Sequence, residues 1–552
     1  MISRHPFLYL VLIQAFAKPC IDAANILGLY SSPTFSHLIV HMSVVKALAD
    51  AGHNLTVVTA LSPEIEPHEN ITNVLIPPNP STLKIYNEVL AEFVAEEFSM
   101  SSHIYKVLKS SQKLVDTHYE FAVHPKLKAI YDTPDTHFDL VILGYYFNDF
   151  QLGIAAKLNV PVIVDWVGVP IEMMDDIVGN TNDPAYVPHL NMVRPAGERT
   201  MGFGQRVKNY LLWLIFKVCN PILKHYMERY YKLAFGNDSK LPSYQEMRKR
   251  ISLVFYNYHS HSEGPVRPIV PASIEIGGIQ IKEQPDPLPT DIADFLDNAS
   301  AGAIFFSLGT HIHSYLIRPD IVATIFKVFS SLPQRIIWKW DRMDNLPGNS
   351  SNILYRPWLP QDDLLAHPNM KLFITHAGKG SIAESQFHGV PMLGVPIWCD
   401  QPGNADAMAA AGLGVTLDFL KITEESLRAG IREVLDNDTY RENVQRFSKM
   451  YRDRPMTARQ SVVYWTDYVL RYKGAYHLQS PWVYMSLMER YNLDVQAALW
   501  LVLVSALFVL SYVVRNVRLV ISYQRYLLSR FKTGKFPITI SVQREKGKLK
   551  TN

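Results

Sequence analysis

Short runs of apolar residues at strand spacing recur along the chain, and stretches of helical spacing separate them. The first run covers residues 25–30 and the next covers 55–59. Between them we predict a helix that begins at about His37 and stops at Gly52, because its apolar positions recur every three or four residues and glycine commonly ends a helix. Strand, helix and strand in this order predict one half of a doubly wound α/β unit.

The same alternation continues to about residue 450. Further strands are predicted at 138–143, 160–164, 303–308, 335–340, 370–375 and 392–397. Helical patterns follow over 424–450 and again over 457–472. Strands that alternate with helices predict parallel sheets covered on both faces, so we expect two Rossmann-like domains.

Prolines at positions 285, 287 and 289 stand among charged residues and predict a linker between the two halves. The predicted segments are a signal peptide at 1–24, a first domain at 25–280, a linker at 281–300, a second domain at 301–450, further helices at 451–494, a transmembrane helix at 495–514 and a basic tail at 515–552. Residues 206–231 have an apolar centre between polar flanks. This pattern favours a buried core helix, although a helix on a membrane surface or along an apolar cleft also fits it.

The two ends of the chain have the patterns of targeting and membrane segments. An apolar run at 7–16 is too short to span a bilayer and predicts a cleaved secretory signal, with an uncleaved anchor as the alternative. Residues 495–514 carry no charge and are long enough to cross about 30 Å of hydrocarbon. Because arginines and lysines follow this span, we expect a cytoplasmic tail and a lumenal position for everything before the span.

One stretch, residues 358–405, concentrates the candidate chemistry. Its strand at 370–375 runs into the turn His376-Ala377-Gly378-Lys379-Gly380-Ser381, after which a helical pattern begins. Free N–H groups and the positive end of a helix dipole converge at such a turn, which predicts a phosphate site. The turn has neither the spacing of a dinucleotide fingerprint nor that of a P-loop, so neither a dehydrogenase nor a kinase follows from it.

The flanks of this turn suggest what else the ligand carries. Trp358 offers a flat face for a base, and Gln361 offers an amide to read the edge of that base. Asp400 and Gln401 follow the strand at 392–397, at the end where open α/β sheets bind ligands. Singly, a core tryptophan or a capping aspartate would explain these residues; together they predict a nucleotide-sugar site.

These motifs resemble those of the UDP-glycosyltransferase family, the animal glucuronosyl- and glucosyltransferases of small lipophilic acceptors. W-x-P-Q, T-H-x-G about fifteen residues later, E, G-V-P, P and D-Q-x-x-N all occur in that order. The resemblance implies two facing Rossmann-like domains of the GT-B glycosyltransferase fold, with the last helices returning to the first domain, and one C-terminal transmembrane helix.

The resemblance also implies a role for each matching residue. Trp358 and Gln361 would contact uracil, and Glu384 the ribose hydroxyls. The turn would bind the diphosphate through His376, Gly378, Gly380 and Ser381; Ser307, Gly309 and Thr310 would face the diphosphate and sugar, and Asp400 and Gln401 the sugar. Many members carry asparagine or another side chain where this chain has Gly380, so a contact there must come from the backbone or from Lys379.

His37 is predicted to sit at a helix N-terminus, where the helix dipole disfavours a second positive charge and keeps an imidazole neutral. A neutral imidazole can act as a general base, and the resemblance gives the matching histidine that role. A capping or structural histidine is the alternative. The family places a partner carboxylate where this chain has Gly144, so we expect Asp149 to orient His37, with Asp165 in reserve and the complete absence of a carboxylate partner as the alternative.

Composition sets limits on the other partners. A chain of 552 residues with a net charge of +3 is long enough for three or four domains and implies no nucleic-acid partner. Its three cysteines, Cys20, Cys219 and Cys399, support neither a disulfide framework nor a metal cluster. We therefore expect no metal and no cofactor, only a UDP-sugar co-substrate; self-association is left open.

The expected reaction is inverting transfer of a hexose from a UDP-sugar to a hydroxyl of a small lipophilic acceptor. Members that use glucuronate carry an arginine shortly before the linker, whereas residues 255–259 contain none and Tyr258 takes that place, which favours glucose. A transferase of one specific membrane lipid and a catalytically weak binding protein are the alternatives. Lys548 and Lys550 resemble a dilysine retrieval signal, so we expect a single-pass type I protein of the endoplasmic reticulum membrane.

Overall fold

The structure is a computed structural model. It describes residues 23–63, 66–81, 83–84, 88, 91, 113–134, 136–189, 192, 200–236, 238–260 and 267–534. Most of the predicted signal peptide and the end of the predicted tail, including Lys548 and Lys550, lie outside these residues. The chain divides into two compact units, Met1–Val483 and Tyr484–Asn552.

The first half of the larger unit is built on a seven-stranded parallel sheet. Its strands are β1 Asn25–Tyr30, β2 Asn54–Thr59, β3 Ile71–Leu75, β4 Leu140–Gly144, β5 Val162–Trp166, β6 Ile251–Tyr256 and β7 Ser273–Glu275. They lie in the order β3-β2-β1-β4-β5-β6-β7. The helices here are α1 Phe35–Asp50, α2 Pro125–Tyr131, α3 Leu152–Leu158, α4 Glu172–Val178, α5 Phe203–Phe235 and α6 Tyr244–Lys249.

A second parallel sheet, of six strands, follows. Its strands are β8 Ala303–Ser307, β9 Arg335–Lys339, β10 Ile353–Arg356, β11 Met370–Thr375, β12 Met392–Gly394 and β13 Gly414–Thr416, in the order β10-β9-β8-β11-β12-β13. The helices are α7 Thr290–Asp297, α8 Pro319–Ser330, α9 Gln361–Leu365, α10 Lys379–His388, α11 Gln401–Ala410, α12 Glu424–Asp436, α13 Asp438–Arg452 and α14 Ala458–Tyr472. The two predicted Rossmann-like sheets are therefore present.

In each sheet the strand order reverses direction at one point, between β1 and β4 in the first and between β8 and β11 in the second. Ligands of open α/β sheets bind outside the carboxyl ends of the strands at such a point. The loops that leave β1, β8 and β11 contain His37, Gly309 and His376 or lead directly to them. The topology thus brings the predicted site residues of each half to one edge of their sheet.

Proline accounts for two of the strand boundaries that differ from the sequence prediction. The strand predicted at 160–164 begins at Val162, after Pro161, and the strand predicted at 392–397 ends at Gly394, shortly before Pro396. Proline has no N–H to give to a parallel ladder, so pairing starts after it or stops before it.

The predicted linker at 281–300 is partly ordered by contacts with the second domain. The Lys282 backbone N–H donates to Asp362 at 2.8 Å, and its ammonium donates to both oxygens of Asp363 at 3.0 and 2.8 Å. Helix α7 follows within the same segment. Further along, α14 packs back on α1, and Val462 and Val469 join the core of the first domain.

Helix α5 corrects the expectation of a buried core helix at 206–231. Only its C-terminal part, with Met227, Tyr230 and Tyr231, enters the core. Its N-terminal part is largely exposed, since Val218 keeps 67% of its surface accessible, and Leu212 packs only in a small cluster with Met192 and Met201. Apolar composition alone predicts burial, but it does not say which apolar positions find partners in the tertiary structure.

The smaller unit contains the short helix α15 Leu487–Arg490 and the long helix α16 Leu493–Thr533. Among the described residues, α16 is the helix long and apolar enough to cross a membrane, by length and composition. It includes the span predicted at 495–514 and continues without a break into the basic segment.

Beneath the switch point of the first sheet, two rings fill the space next to Gly144. Tyr30 stacks on His41 with 4.6 Å between ring centroids, and Nδ1 of His41 lies 2.7 Å from a carboxylate oxygen of Asp165. A Cβ added at Gly144 would lie 2.5 Å from a Tyr30 ring atom and 3.0 Å from Nε2 of His41. The position where the resemblance led us to look for a carboxylate therefore has no room for a side chain.

We expect Gly144→Ala to lower the free energy of unfolding by about 1–3 kcal/mol, because the added methyl overpacks a filled site. Thermal or denaturant unfolding measures this change. Gly204→Ala is the matched control, since a Cβ at Gly204 meets nothing within 4 Å. An equal effect of the two substitutions would contradict the packing described here.

Candidate active site

The glycine turn after β11 exposes the backbone donors that a phosphate needs. Ala377 has a φ of 61°, a conformation that non-glycine residues adopt rarely. Helix α10 begins at Lys379 with Gly378 as its N-cap and no side-chain cap. The first N–H groups of α10 therefore have no intrahelical partner and remain available to an anion.

The imidazole of His376 packs against backbone from two turns. A Cβ at Gly309 would lie 2.6 Å from its ring, and one at Gly378 would lie 2.4 Å from its Nε2. Gly309 also has a φ of +81°, in the left-handed region that favours glycine. Burial, then His311 and Lys339, lower the pKa of His376 to about 3, so the ring is neutral at physiological pH.

Lys339 and His311 belong to this site, and the sequence analysis missed both. The ammonium of Lys339 donates to the carbonyl of Gly309 at 2.9 Å and lies 4.5 Å from the ring centroid of Trp358. Burial, followed by His313 and Lys339, lowers the pKa of His311 to about 4. A cation therefore lies between the predicted base platform and the predicted diphosphate turn.

The predicted nucleoside residues are also close together. Trp358 is 46% exposed, as a stacking platform must be. The side-chain amide of Gln361 donates to Ser381 at 3.0 Å and to Glu384 at 2.6 Å. Burial, then Asp362, raises the pKa of Glu384 to about 8. These contacts link α9 to α10 below the platform.

The loop after β12 presents Asp400 at the start of α11. Asn404 donates to its carboxylate at 2.7 Å, and burial raises its pKa, whereas Lys379 acts in the opposite direction. The side-chain oxygen of Gln401 accepts from the N–H groups of Ile397 and Trp398 at 2.9 and 3.0 Å. The side-chain oxygen of Gln401 therefore stabilises the backbone of this loop.

His37 lies in the first turn of α1, as the sequence analysis predicted. Its Nδ1 lies 3.2 Å from the hydroxyl of Ser32, and its ring meets that of Tyr146 edge-on at 4.8 Å between centroids. Burial lowers the pKa of His37 well below its usual value, and His41, His311 and His118 lower it further. His37 is therefore a neutral imidazole.

Electrostatic contacts connect the two halves at this site. His311 of the second domain acts on the pKa of His37 in the first. Tyr146 of the first domain lies within electrostatic reach of Asp400 in the second, and its pKa is raised by burial, by Cys399 and by Asp400. The side-chain nitrogen of Gln280, a residue also missed in the sequence, is buried without a hydrogen-bond partner among the described residues and lies 3.7 Å from a Cβ built on Gly380, whereas its side-chain oxygen accepts from Asn257 at 3.3 Å.

The structure corrects the expected pairing of His37 with Asp149. One carboxylate oxygen of Asp149 accepts from the hydroxyl of Tyr244 at 2.8 Å and from the guanidinium of Arg248. Asp165, the reserve, pairs with His41. Among the described residues, the hydrogen-bond partner of His37 is Ser32. Asp149 is occupied because a buried arginine needs a carboxylate, and spacing along the chain does not reveal that arginine.

Comparisons with known proteins identify the family. The model of the family described as UDP-glucoronosyl and UDP-glucosyl transferase matches residues 28–525. The chain belongs to the UDP-glycosyltransferase family. UDP-glucosyltransferase 2 of Dactylopius coccus is 32% identical over 500 residues, covering 89% of this chain and 93% of that protein. UDP-glucuronosyltransferase 2B1 of Rattus norvegicus is 28% identical, covering 86% and 90%.

A solved structure supports the fold of this UDP-glycosyltransferase. A Polygonum tinctorium UDP-glucosyltransferase described as capable of glucosylating indoxyl, in complex with 3,4-dichloroaniline, has a TM-score of 0.54 at 16% identity and covers 82% of this chain and 99% of its own. The fold is thus the GT-B arrangement, as predicted. The family transfers glycosyl groups from UDP-sugars to acceptors, and α16 fits a single-pass membrane anchor.

We expect Asp149→Ala to destabilise the protein by about 3 kcal/mol, since it removes one partner of a buried ion pair and leaves Arg248 less compensated. Turnover per folded molecule should change by less than about twofold. Unfolding and activity are measured on the same preparation. Asp50→Ala, which removes an exposed pair with Lys46, is the control and should cost less than about 1 kcal/mol. A loss of turnover by orders of magnitude at unchanged stability would show that Asp149 does act in catalysis.

Proposed function

We propose that this UDP-glycosyltransferase transfers glucose from UDP-glucose to a hydroxyl of a small lipophilic acceptor, with inversion at the anomeric carbon and with His37 as the general base. The observation that carries the proposal is the place of His37 in the first turn of α1, at the carboxyl end of β1, with Nδ1 3.2 Å from Ser32 and the ring edge-on to Tyr146. A neutral base beside a donor site is what attack by a hydroxyl requires.

In the proposed complex, uracil stacks on Trp358 and Gln361 reads its edge, while Glu384 accepts from the ribose hydroxyls. The diphosphate lies against the first N–H groups of α10, with His376 and Lys339 beside it. Charge that develops on the leaving diphosphate is then met by dipoles and a cation already in place. The proposal includes no metal ion and no cofactor.

One observation favours glucose over glucuronate. Residues 255–259 contain no arginine or lysine, and Tyr258 is completely buried. Relatives named UDP-glucosyltransferase and UDP-glucuronosyltransferase are both similar to this chain, so similarity does not choose between the two donors.

We propose that α16 anchors the protein in the endoplasmic reticulum membrane as a single-pass type I protein with its catalytic domains in the lumen. The basic residues at the end of α16 support this orientation. A catalytically weak binding protein is the second candidate, because the described residues pair no carboxylate with His37. The alternative of a transferase dedicated to one membrane lipid concerns the acceptor alone.

We expect microsomes that contain the protein to transfer labelled sugar from UDP-glucose to a mixed panel of phenols, sterols and ceramides at least about tenfold faster than from UDP-glucuronate. His37→Ala should lower transfer at least about a hundredfold while UDP binding persists, since the base lies outside the donor half. Equal rates with both donors would overturn the choice of glucose. Unchanged activity of His37→Ala would show that His37 is not the general base.

We expect the acidic limb of the kcat/KM profile for UDP-glucose to fall well below pH 6.5. The lowered pKa of His37 keeps the imidazole unprotonated and able to accept a proton until the pH falls through that value. A pH–rate series, with protein folding checked at each pH, measures the limb. Activity that is lost between pH 7 and 6 while the protein stays folded would contradict the assignment of His37.

A further inference from the structure

The imidazole of His37, the proposed general base, is hydrogen-bonded to a hydroxyl group, which is bonded to a second hydroxyl. Nδ1 of His37 lies 3.2 Å from Oγ of Ser32, which in turn lies 2.8 Å from Oγ1 of Thr34. Ser32 and Thr34 are both buried. They precede α1, so the three side chains belong to one loop and the turn that follows it.

The backbone next to Ser32 is fixed by a buried polar network. The hydroxyl of Ser31 lies 2.8 Å from Nδ1 of His118 and accepts from the amides of Asn148 and Gln151 at 3.1 and 3.2 Å. All four side chains are buried. These hydrogen bonds fix the loop after β1, and they therefore fix the position of Ser32 next to His37.

The carboxylates that the sequence offers as partners for His37 are engaged elsewhere. Asp149 is bonded to Arg248 and Tyr244, and Asp165 to His41. A carboxylate side chain at position 144 would clash with the rings of Tyr30 and His41. Within the described part of the chain, no carboxylate is hydrogen-bonded to His37.

We propose that Ser32 is the positioning residue of His37 in place of a carboxylate, and that the enzyme consequently transfers its sugar to acidic, phenol-type hydroxyls in preference to aliphatic alcohols. This inference rests on the proposed function. The Nδ1–H of neutral His37 donates to Ser32, which fixes the tautomer and leaves Nε2 as the proton acceptor.

During transfer, Nε2 takes the hydroxyl proton of the acceptor as the acceptor oxygen forms a bond to the anomeric carbon. The bond from that carbon to the β-phosphate oxygen breaks, and its electron pair stays on UDP. A carboxylate partner would stabilise the imidazolium that forms, whereas a serine hydroxyl orients the ring and contributes no charge.

The surroundings of His37 also make it a weak base. Burial lowers its pKa most, and His41, His311 and His118 lower it further. The ring of Tyr146 covers one edge. A weak base favours acceptors that release their proton readily: a phenol has a pKa of about 10, as tyrosine does, whereas an aliphatic alcohol is about as weak an acid as water.

The first test compares acceptors of matched shape. Phenol and cyclohexanol, and the corresponding pairs with the same para substituent, are offered with saturating UDP-glucose. We expect kcat/KM for each phenol to exceed that for its cyclohexanol partner at least about a hundredfold. Equal values within about threefold would overturn the proposal.

The second test changes the hydroxyl. Ser32→Ala should lower kcat about tenfold with KM for UDP-glucose unchanged, and the loss should grow as the acceptor becomes less acidic, because a hydrogen bond accepted from Nδ1–H makes Nε2 more basic. Ser32→Thr keeps a hydroxyl and should recover most of the activity. Ser43→Ala, which removes a hydroxyl bonded to the backbone of the same helix, should leave kcat unchanged.

Three outcomes separate this inference from the proposed function. Transfer that depends on His37 but does not change in folded Ser32→Ala rejects Ser32 and leaves the proposed function intact. A loss in Ser32→Ala that is the same for every acceptor shows structural damage and also rejects the positioning role. No transfer to any acceptor in the wild type, with UDP still bound, rejects the proposed function itself.

Discussion

The site depends on imidazoles that remain uncharged in a buried cleft. His37, His311 and His376 all have lowered pKa values, and burial is the largest cause for each. Moving a charge out of water is costly unless a partner compensates it, so these buried rings stay neutral. Lys339 and the first N–H groups of α10 supply positive potential in the same region. The cleft is therefore prepared for an anion before any ligand arrives.

That the proposed donor-binding residues lie close together was predictable from the sequence, because they are close along the chain. Trp358, Gln361, His376, Glu384 and Asp400 lie within one stretch that alternates strand, turn and helix. Once a parallel sheet forms, the carboxyl ends of its strands meet at one edge, so local motifs become a site without further information. Lys339 was missed because a lysine at the end of a strand has no signature of its own.

The hydrogen-bond partner of His37 was not predictable in this way. Arg248 reaches Asp149 across 99 positions and His41 reaches Asp165 across 124. Which buried acid is already neutralised depends on such long-range contacts, and spacing does not encode them. The exposed part of α5 illustrates the same limit, since an apolar pattern predicts that a face seeks a partner but not whether the fold supplies one.

The ordered linker has a consequence for the ribose contact. Burial is the largest cause of the raised pKa of Glu384, and Asp362 and Asp363, which bond the Lys282 end of the linker, raise it further. The ammonium of Lys282 partly offsets the negative charge of Asp363. The linker therefore also weakens the field that holds a proton on Glu384, so it has an electrostatic effect as well as a structural one.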